Sequence, residues 1–424
     1  MACFRIYIRR LRSPVTGPYG NRMTADVPTR SPGPTTPAAR ALAPDLARGF
    51  MLLFIALANS HYFLTGPSVL GGYPQNGSGL DAAVTWLIST FVDGRAFPMF
   101  GLLFGYGVAQ IVRRHEASRP RVVRRLLWRR SAALVVVGLL DALLFYVGDI
   151  LAAYGVLLFL GAWAVRWHDR WLVLTALAFF VLTSLPSDDS LVISLAGPDA
   201  AMLPPDAGTM VAERALAALF VASLGPLGFM CPFMVGLWAG RRRILEHPER
   251  HRMLLGVTAS IGIGAAVLGA QPVSLILAGM VTPPNQPTLE LLGSLHDTTG
   301  MLGGFGYAAL LALIAAWLPG RRRPVTDAIA AAGQRSMTCY LMQSVIWAIA
   351  FTPFLLDLSG TLDVAGTALL ATGTWIVTVV LADRMRHAGH RGPFEALVRR
   401  VTYGPVGVPK PVTVVDMGRC DVRP

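Results

Sequence analysis

GLLDALLFYVGDILAAYGVLLFL, residues 138–160, reads as two apolar runs meeting at Gly148-Asp149. Basic segments flank it, RRHEASRPRVVRRLLWRR (113–130) on one side and RWHDR (166–170) on the other. A helix needs about 20 mostly apolar residues to cross a bilayer core. The stretch therefore specifies a membrane helical hairpin, with a tight turn at one surface and both basic flanks at the other. Two carboxylates, Asp141 and Asp149, sit inside it, and their presence there poses the functional question.

The rest of the chain repeats the pattern. Its 424 residues are 54% hydrophobic and 14% charged, with a mean hydropathy of +0.53. Soluble domains carry roughly 25% charged residues. Ten hydrophobic spans can be drawn, at about 48–65, 85–112, 131–147, 150–166, 171–186, 215–239, 254–271, 300–318, 334–355 and 364–382. The short span at 171–186 and the apolar piece SLILAGMV within 272–300 leave eight or eleven open. The expected fold is all-α: a polytopic integral membrane helical bundle of about ten transmembrane helices.

The arginines orient this bundle. Eight lie in 113–130, two in 166–170, five in RRRILEHPERHR (241–252), three in GRRR (320–323) and five in DRMRHAGHRGPFEALVRR (383–400). With the N-terminus inside, all of these fall on one side. The opposite loops, 66–81, 186–213, 282–297 and 356–363, are acidic or neutral, with Arg214 the lone basic residue at their edge. This is the positive-inside pattern, so both termini are expected in the cytoplasm. It accounts for the net charge of +13 without nucleic acid. The expected partners are the lipid bilayer and its anionic headgroups.

Residues 1–44, rich in Pro, Thr and Arg, read as a disordered basic arm, with Met23 an alternative start. Residues 45–404 form the helical domain and 405–424 a cytoplasmic tail. Four scattered cysteines form no metal-binding or disulfide framework. No Walker A, GxSxG or HExxH motif is present. Gly101-x-x-x-Gly105 reads first as a helix-packing face. No metal site or bound cofactor is expected.

Ionisable residues at bilayer depth cost at least ~2.5–3.5 kcal/mol on insertion scales, which makes them functional candidates. Asp141 follows Arg130 by eleven residues, which places it about 16 Å into the membrane at 1.5 Å per residue. Charged and alone it would not be tolerated, so it is expected to be substantially protonated at neutral pH, with Asn59 and Gln343 at similar depth to share a hydrogen bond with the neutral carboxyl. Asp149, after Gly148, reads as an N-cap behind a helix-end glycine. The second span breaks at Asp93-Gly94 and resumes with Arg95, whose guanidinium has three candidate partners: Asp149, Asp93 or an anionic substrate. The first span adds Asn59, Ser60 and His61, the last read as interfacial. The ninth adds Thr338, Tyr340, Gln343 and Ser344, residue types that commonly act as interhelical glue.

The order of five stretches resembles the YeiB-like family of bacterial membrane proteins, catalogued as domain of unknown function 418. They are PDLARGFMLLFIALAN (44–59), GRAFPMFGLLFGYG (94–107), GLLDALLFYVGDILAAYG (138–155), AAGQRSMTCYLMQSVIW (331–347) and RGPFEALVRRVTYG (391–404). About 225–404 resembles the family's named C-terminal domain. The likeness implies a multi-pass protein of the bacterial inner (plasma) membrane. It also implies a departure, since the family usually has His where this chain has Asp141. More distantly, the chain resembles membrane acyltransferases that move acyl groups from cytoplasmic donors to extracytoplasmic sugars.

Three functions follow as alternatives. An acyltransferase would draw an anionic donor, acyl-CoA, to its cytoplasmic arginines and pass the acyl group to an envelope glycan or a small molecule. Asp141, Asp149 and Arg95 are then the catalytic candidates, and Asn59, Arg335 and Gln343 the substrate-binding candidates. A transporter or permease would use Arg95, Asp141 and Asp149 as a substrate or proton site. A non-catalytic membrane component would use none of them.

Overall fold

The computed structural model describes residues 41–186, 193–194, 198–318 and 323–404. Residues 1–40 and the tail at 405–424, with the arm and start site assigned there, lie outside the described residues. Each of the ten apolar spans carries a helix. The first is α1 (Leu42–Ser60), and the second is split into α2 (Gly79–Phe91) and α3 (Ala96–Arg114). Then follow α4 (Pro120–Leu144), α5 (Leu151–Ala164), α6 (Asp169–Thr183), α7 (Ala207–Arg241), α8 (Arg252–Leu277) and α9 (Gln286–Trp317). The short α10 (Pro324–Gln334) leads into α11 (Ser336–Phe351), α12 (Val364–His387) and the terminal α13 (Pro393–Tyr403). Among the described residues, six helical stretches are long and apolar enough to cross a membrane: 42–63, 79–114, 207–241, 252–277, 286–317 and 364–387.

Local chemistry sets several boundaries. Ser78 and Asp81 form a reciprocal capping box at the start of α2. The other carboxylate oxygen of Asp81 accepts the backbone N–H of Ala365 at 3.0 Å, tying α2 to the first turn of α12. Asn285 caps α9, and Pro287 occupies its first turn, where a proline is tolerated. The helix therefore begins well inside 282–297, the stretch read from sequence as loop. After α1, a helical turn at His61–Phe63 leads to the two-residue strands β1 (Val69–Leu70) and β2 (Tyr73–Pro74). A third, β3 (Ile193–Ser194), pairs antiparallel with β1, giving the order β2-β1-β3.

Small residues bring the helices together. A Cβ on Gly105 would lie 2.2 Å from the Phe233 carbonyl oxygen, and one on Gly236 would lie 2.1 Å from that of Leu102. The α3–α7 seam is thus backbone against backbone, in line with the packing role read for Gly101 and Gly105. Gly138 does the same for the hairpin, since a Cβ there would meet the Ala152 nitrogen at 2.2 Å.

The outward faces are apolar. Leu216, Leu219 and Phe220 on α7, Ile261 and Leu268 on α8, and Leu369 and Val377 on α12 are exposed. Water would penalise a continuous apolar exterior, whereas lipid accepts it because helices satisfy their own backbone groups. The length of the helices and the chemistry of their surface describe a multi-pass membrane protein.

Candidate functional site

The hairpin places its two carboxylates in different surroundings. α4 ends at Leu144, with the N–H groups of Phe145 and Tyr146 both closing on the Asp141 carbonyl at 2.8 and 3.0 Å. Six residues of turn then lead to α5. Gly148 packs beside the Tyr146 ring and is not the glycine that ends α4. Asp149 fills the capping role by side chain. Its Oδ2 accepts the N–H groups of Leu151 (2.9 Å) and Ala152 (3.1 Å), while Ile150 holds the backbone cap position. Its Oδ1 accepts the Tyr340 hydroxyl at 3.0 Å. Both oxygens of Asp149 are therefore occupied.

Asp141 is only half satisfied. Its Oδ2 accepts the Ser344 hydroxyl at 2.8 Å, and its Oδ1 is buried with no hydrogen-bond partner. Tyr340 and Ser344 are one turn apart on α11 and so share a face. That face meets α4 and the start of α5. Gln343 points elsewhere and donates to the Leu52 carbonyl of α1 at 3.1 Å. Asn59 lies half-buried in the last turn of α1. Ser344 therefore holds the place that depth alone had suggested for Asn59 and Gln343. Arg214, in the second turn of α7, is buried and donates from Nε to the Ala201 carbonyl at 2.9 Å.

A second polar cluster surrounds the α2–α3 break. Gly94 adopts a φ of +74°, a left-handed conformation that glycine reaches without a Cβ clash. The turn sends Arg95 inward, where it is fully buried. Its Nη1 donates to the Asp93 carbonyl and lies 2.8 Å from His296 Nε2. Its Nη2 donates to the Ala266 carbonyl at 2.7 Å. His296 Nε2 also lies 3.0 Å from the Ser89 carbonyl oxygen, and its Nδ1 faces Asp297 Oδ1 at 3.3 Å. The Asp93 carboxylate accepts the Tyr73 hydroxyl at 2.7 Å, and His61 stacks on Tyr73 with ring centroids 4.0 Å apart.

One expectation is corrected here. Arg95 forms no ion pair with Asp149 or with the Asp93 carboxylate; its guanidinium is held by the Asp93 and Ala266 carbonyls and lies against His296. His61, in the turn that follows α1, is buried at 2% exposure.

Arg335 belongs to a third region. It donates to the carbonyls of Ala331 (3.2 Å) and His390 (2.5 Å). Beside it, Glu395 of α13 accepts the N–H groups of Met337 (2.8 Å) and Thr338 (3.1 Å), which open α11. A carboxylate at a helix N-terminus is favoured by both the free N–H groups and the helix dipole. The structure thus brings Asp141 and Asp149 together with Tyr340 and Ser344. Arg95 and Arg335 bind backbone elsewhere, and Asn59 and Gln343 are not among the groups bonded to the acids. Sequence reasoning missed His296 and gave Arg214 no role, although Arg214 breaks a charge rule that the rest of the chain obeys.

Comparison with known proteins gives a family likeness over the C-terminal part. Residues 239–405 match the family model described as "Protein of unknown function (DUF418)". The "Uncharacterized protein YxaH" of Bacillus subtilis (strain 168) is 26% identical over 406 residues, covering 87% of this chain and 96% of that protein. No solved structure matches significantly.

Proposed function

We propose that this chain is a YeiB-like protein of the bacterial inner membrane that transfers an acyl group from cytoplasmic acyl-CoA to an extracytoplasmic acceptor. In this reading the helical domain at 45–404 has ten spans, both ends lie in the cytoplasm, and Asp141 is the general base. The observation that supports it is the open carboxylate oxygen of Asp141. Ser344 fixes one oxygen, and the other is buried with no partner. A general base needs such an oxygen within hydrogen-bond reach of the proton it removes. Asp149, fully engaged with Tyr340 and the first turn of α5, holds the hairpin that presents Asp141.

The test is an untargeted comparison of envelope lipids and glycans between a deletion strain and its complemented form. The reading expects acylated products that require the gene, and unchanged acylation contradicts it. Reporter fusions at residue 30 and after residue 405 should behave as intracellular, and one near Asp199 as external.

One observation favours transport instead: the discontinuous α2–α3 helix with Arg95 buried at its break, a device that membrane transporters use at binding sites. Uptake by purified protein in proteoliposomes, with no acylated product, would select that reading.

A further inference from the structure

The hairpin that turns Asp141 and Asp149 inward has an outer face of a different kind. Trp128, in the third turn of α4, donates from its indole Nε1 to the Phe159 carbonyl of α5 at 3.3 Å. Its ring stacks on Phe159 at 5.5 Å between centroids and lies 5.8 Å from the ring of Trp163. The Arg124 guanidinium lies over the Trp163 ring, 4.6 Å from its centroid. Phe159, Leu160 and Trp163 are exposed, Trp163 at 53%. Trp128 precedes Leu144, the end of α4, by sixteen residues, or about 24 Å along the axis. A hydrocarbon core is about 30 Å thick. These rings therefore sit near one edge of the core, the level at which tryptophan is enriched.

Arginines lie just beyond that edge. Arg121, Arg124, Arg125 and Trp128 are spaced i, i+3, i+4 and i+7 on α4, so they share one face. Among the described residues, these three arginines form no ion pair and no side-chain hydrogen bond. Carboxylates of the neighbouring basic segments are taken by other arginines, Asp169 by Arg241 and Arg242, and Glu246 by Arg113. The anion that answers the α4 arginines has to come from outside the chain.

The surface makes two demands, an anion for the arginines and an apolar body for the exposed face of α5. A soluble phosphate meets the first alone. A zwitterionic lipid meets the second but brings its own cation. A phospholipid of net negative charge meets both. A guanidinium can also stack on an aromatic ring while its N–H groups, in the plane, donate to phosphate. We infer that the outer face of the α4–α5 hairpin binds an anionic phospholipid, its phosphate held by Arg121, Arg124 and Arg125 and its acyl chains lying along Phe159 and Leu160. Trp163 is the platform that fixes Arg124. Binding here does not depend on acyl transfer.

The test uses full-length protein, purified in detergent and delipidated. It is titrated with phosphatidylglycerol or with phosphatidylcholine of the same acyl chains, and bound lipid is counted by native mass spectrometry, with and without inorganic phosphate as competitor. Phosphatidylglycerol should bind about ten-fold more tightly than phosphatidylcholine, and inorganic phosphate should not displace it. Arg124→Gln should weaken phosphatidylglycerol about ten-fold, as for loss of one charge-assisted hydrogen bond. Trp163→Leu, which keeps an apolar side chain but removes the platform, should weaken it by a smaller factor. Arg252→Gln, which removes an exposed arginine at the start of α8, should leave it unchanged. Equal binding of the two lipids, or wild-type affinity in Arg124→Gln, overturns the inference. An equal loss in Arg252→Gln overturns it too, since lipid would then follow the overall charge. Displacement by inorganic phosphate overturns the lipid and leaves a plain anion site. Should Arg124→Gln fail to accumulate, Arg121→Gln takes its place with the same expected loss.

Discussion

The Gly148-Asp149 turn and the Asp93-Gly94 break both interrupt an apolar run with the same two residue types, yet they resolve the interruption in opposite ways. At the hairpin, a carboxylate collects the free N–H groups that open α5. At the break, a guanidinium collects carbonyls, those of Asp93 and Ala266. Each charge is matched by backbone, the N–H groups opening α5 at the hairpin and, at the break, the Asp93 carbonyl with a carbonyl from the interior of α8. Neither has to find the other across the bundle. At Asp141, as at Asp93, one buried carboxylate oxygen has no hydrogen-bond partner. The contrast separates charges that cap helix ends from Asp141, which meets a side chain of another helix, Ser344, and no backbone group.

Arg95→Met gives the largest effect on folding. It removes charge-assisted hydrogen bonds to the Asp93 and Ala266 carbonyls, at ~1.5–3 kcal/mol each. Folded yield in detergent should collapse. Adding Asp149→Leu should bring no recovery, since sites without shared partners add; recovery in the double variant would restore the ion pair and break the comparison. Asp149→Leu alone removes a cap, at about 0.5–2 kcal/mol, and the acceptor of a buried tyrosine hydroxyl. Thermal unfolding should show a loss of about 2–3 kcal/mol from the two terms together. Asp149→Asn keeps an acceptor for the α5 N–H groups and should restore most of it. Gly94→Ala places a Cβ in a left-handed conformation, at roughly 1–2 kcal/mol. An unchanged melting temperature would mean that the break does not depend on this glycine.

The smallest effect lies outside the membrane spans, at Asp169. Burial alone would raise the pKa of this carboxyl, but hydrogen bonds from Arg242 and Arg241 outweigh it and hold the group below its ordinary value. The side chain is 38% exposed, so the pair is worth at most ~1 kcal/mol and weakens with salt. A lowered folded pKa means stability that is present above the unfolded value, about 3.9, and lost as pH falls through the folded one. Asp169→Asn should therefore differ slightly from wild type at neutral pH and match it at strongly acid pH. A gap that widens on acidification contradicts this sign.

The spans were legible because lipid demands long apolar helices, and the two hairpin carboxylates stood out against that background. The ends of helices were less legible. α9 starts within a polar, proline-containing segment whose cap at Asn285 acts before any apolar periodicity begins. That hid His296 in an apparent loop. α10 and α13 are too short to read as spans, yet they carry the carbonyl and carboxylate contacts of Arg335 and Glu395. The partner of Asp141 was not legible from depth, because depth does not say which face of α11 turns inward. The one-turn spacing of Tyr340 and Ser344 held that information, but only the position of α4 and α5 gives it meaning. Arg214 was visible as an exception to the charge rule, and only the structure shows that it is buried and bonded to the Ala201 carbonyl.

The central claim is that Asp141 is the reactive carboxylate and Asp149 the structural one. The direct measurement is the amount of gene-dependent acylated envelope product per folded molecule in Asp141→Asn and Asp149→Asn strains, read by mass spectrometry beside size-exclusion profiles. Asp141→Asn should fold at wild-type yield, since the amide can still accept from Ser344, and its product should fall to the empty-vector level. Asp149→Asn should keep its product per folded molecule. Wild-type product in Asp141→Asn, or loss of product in a well-folded Asp149→Asn, would contradict the account.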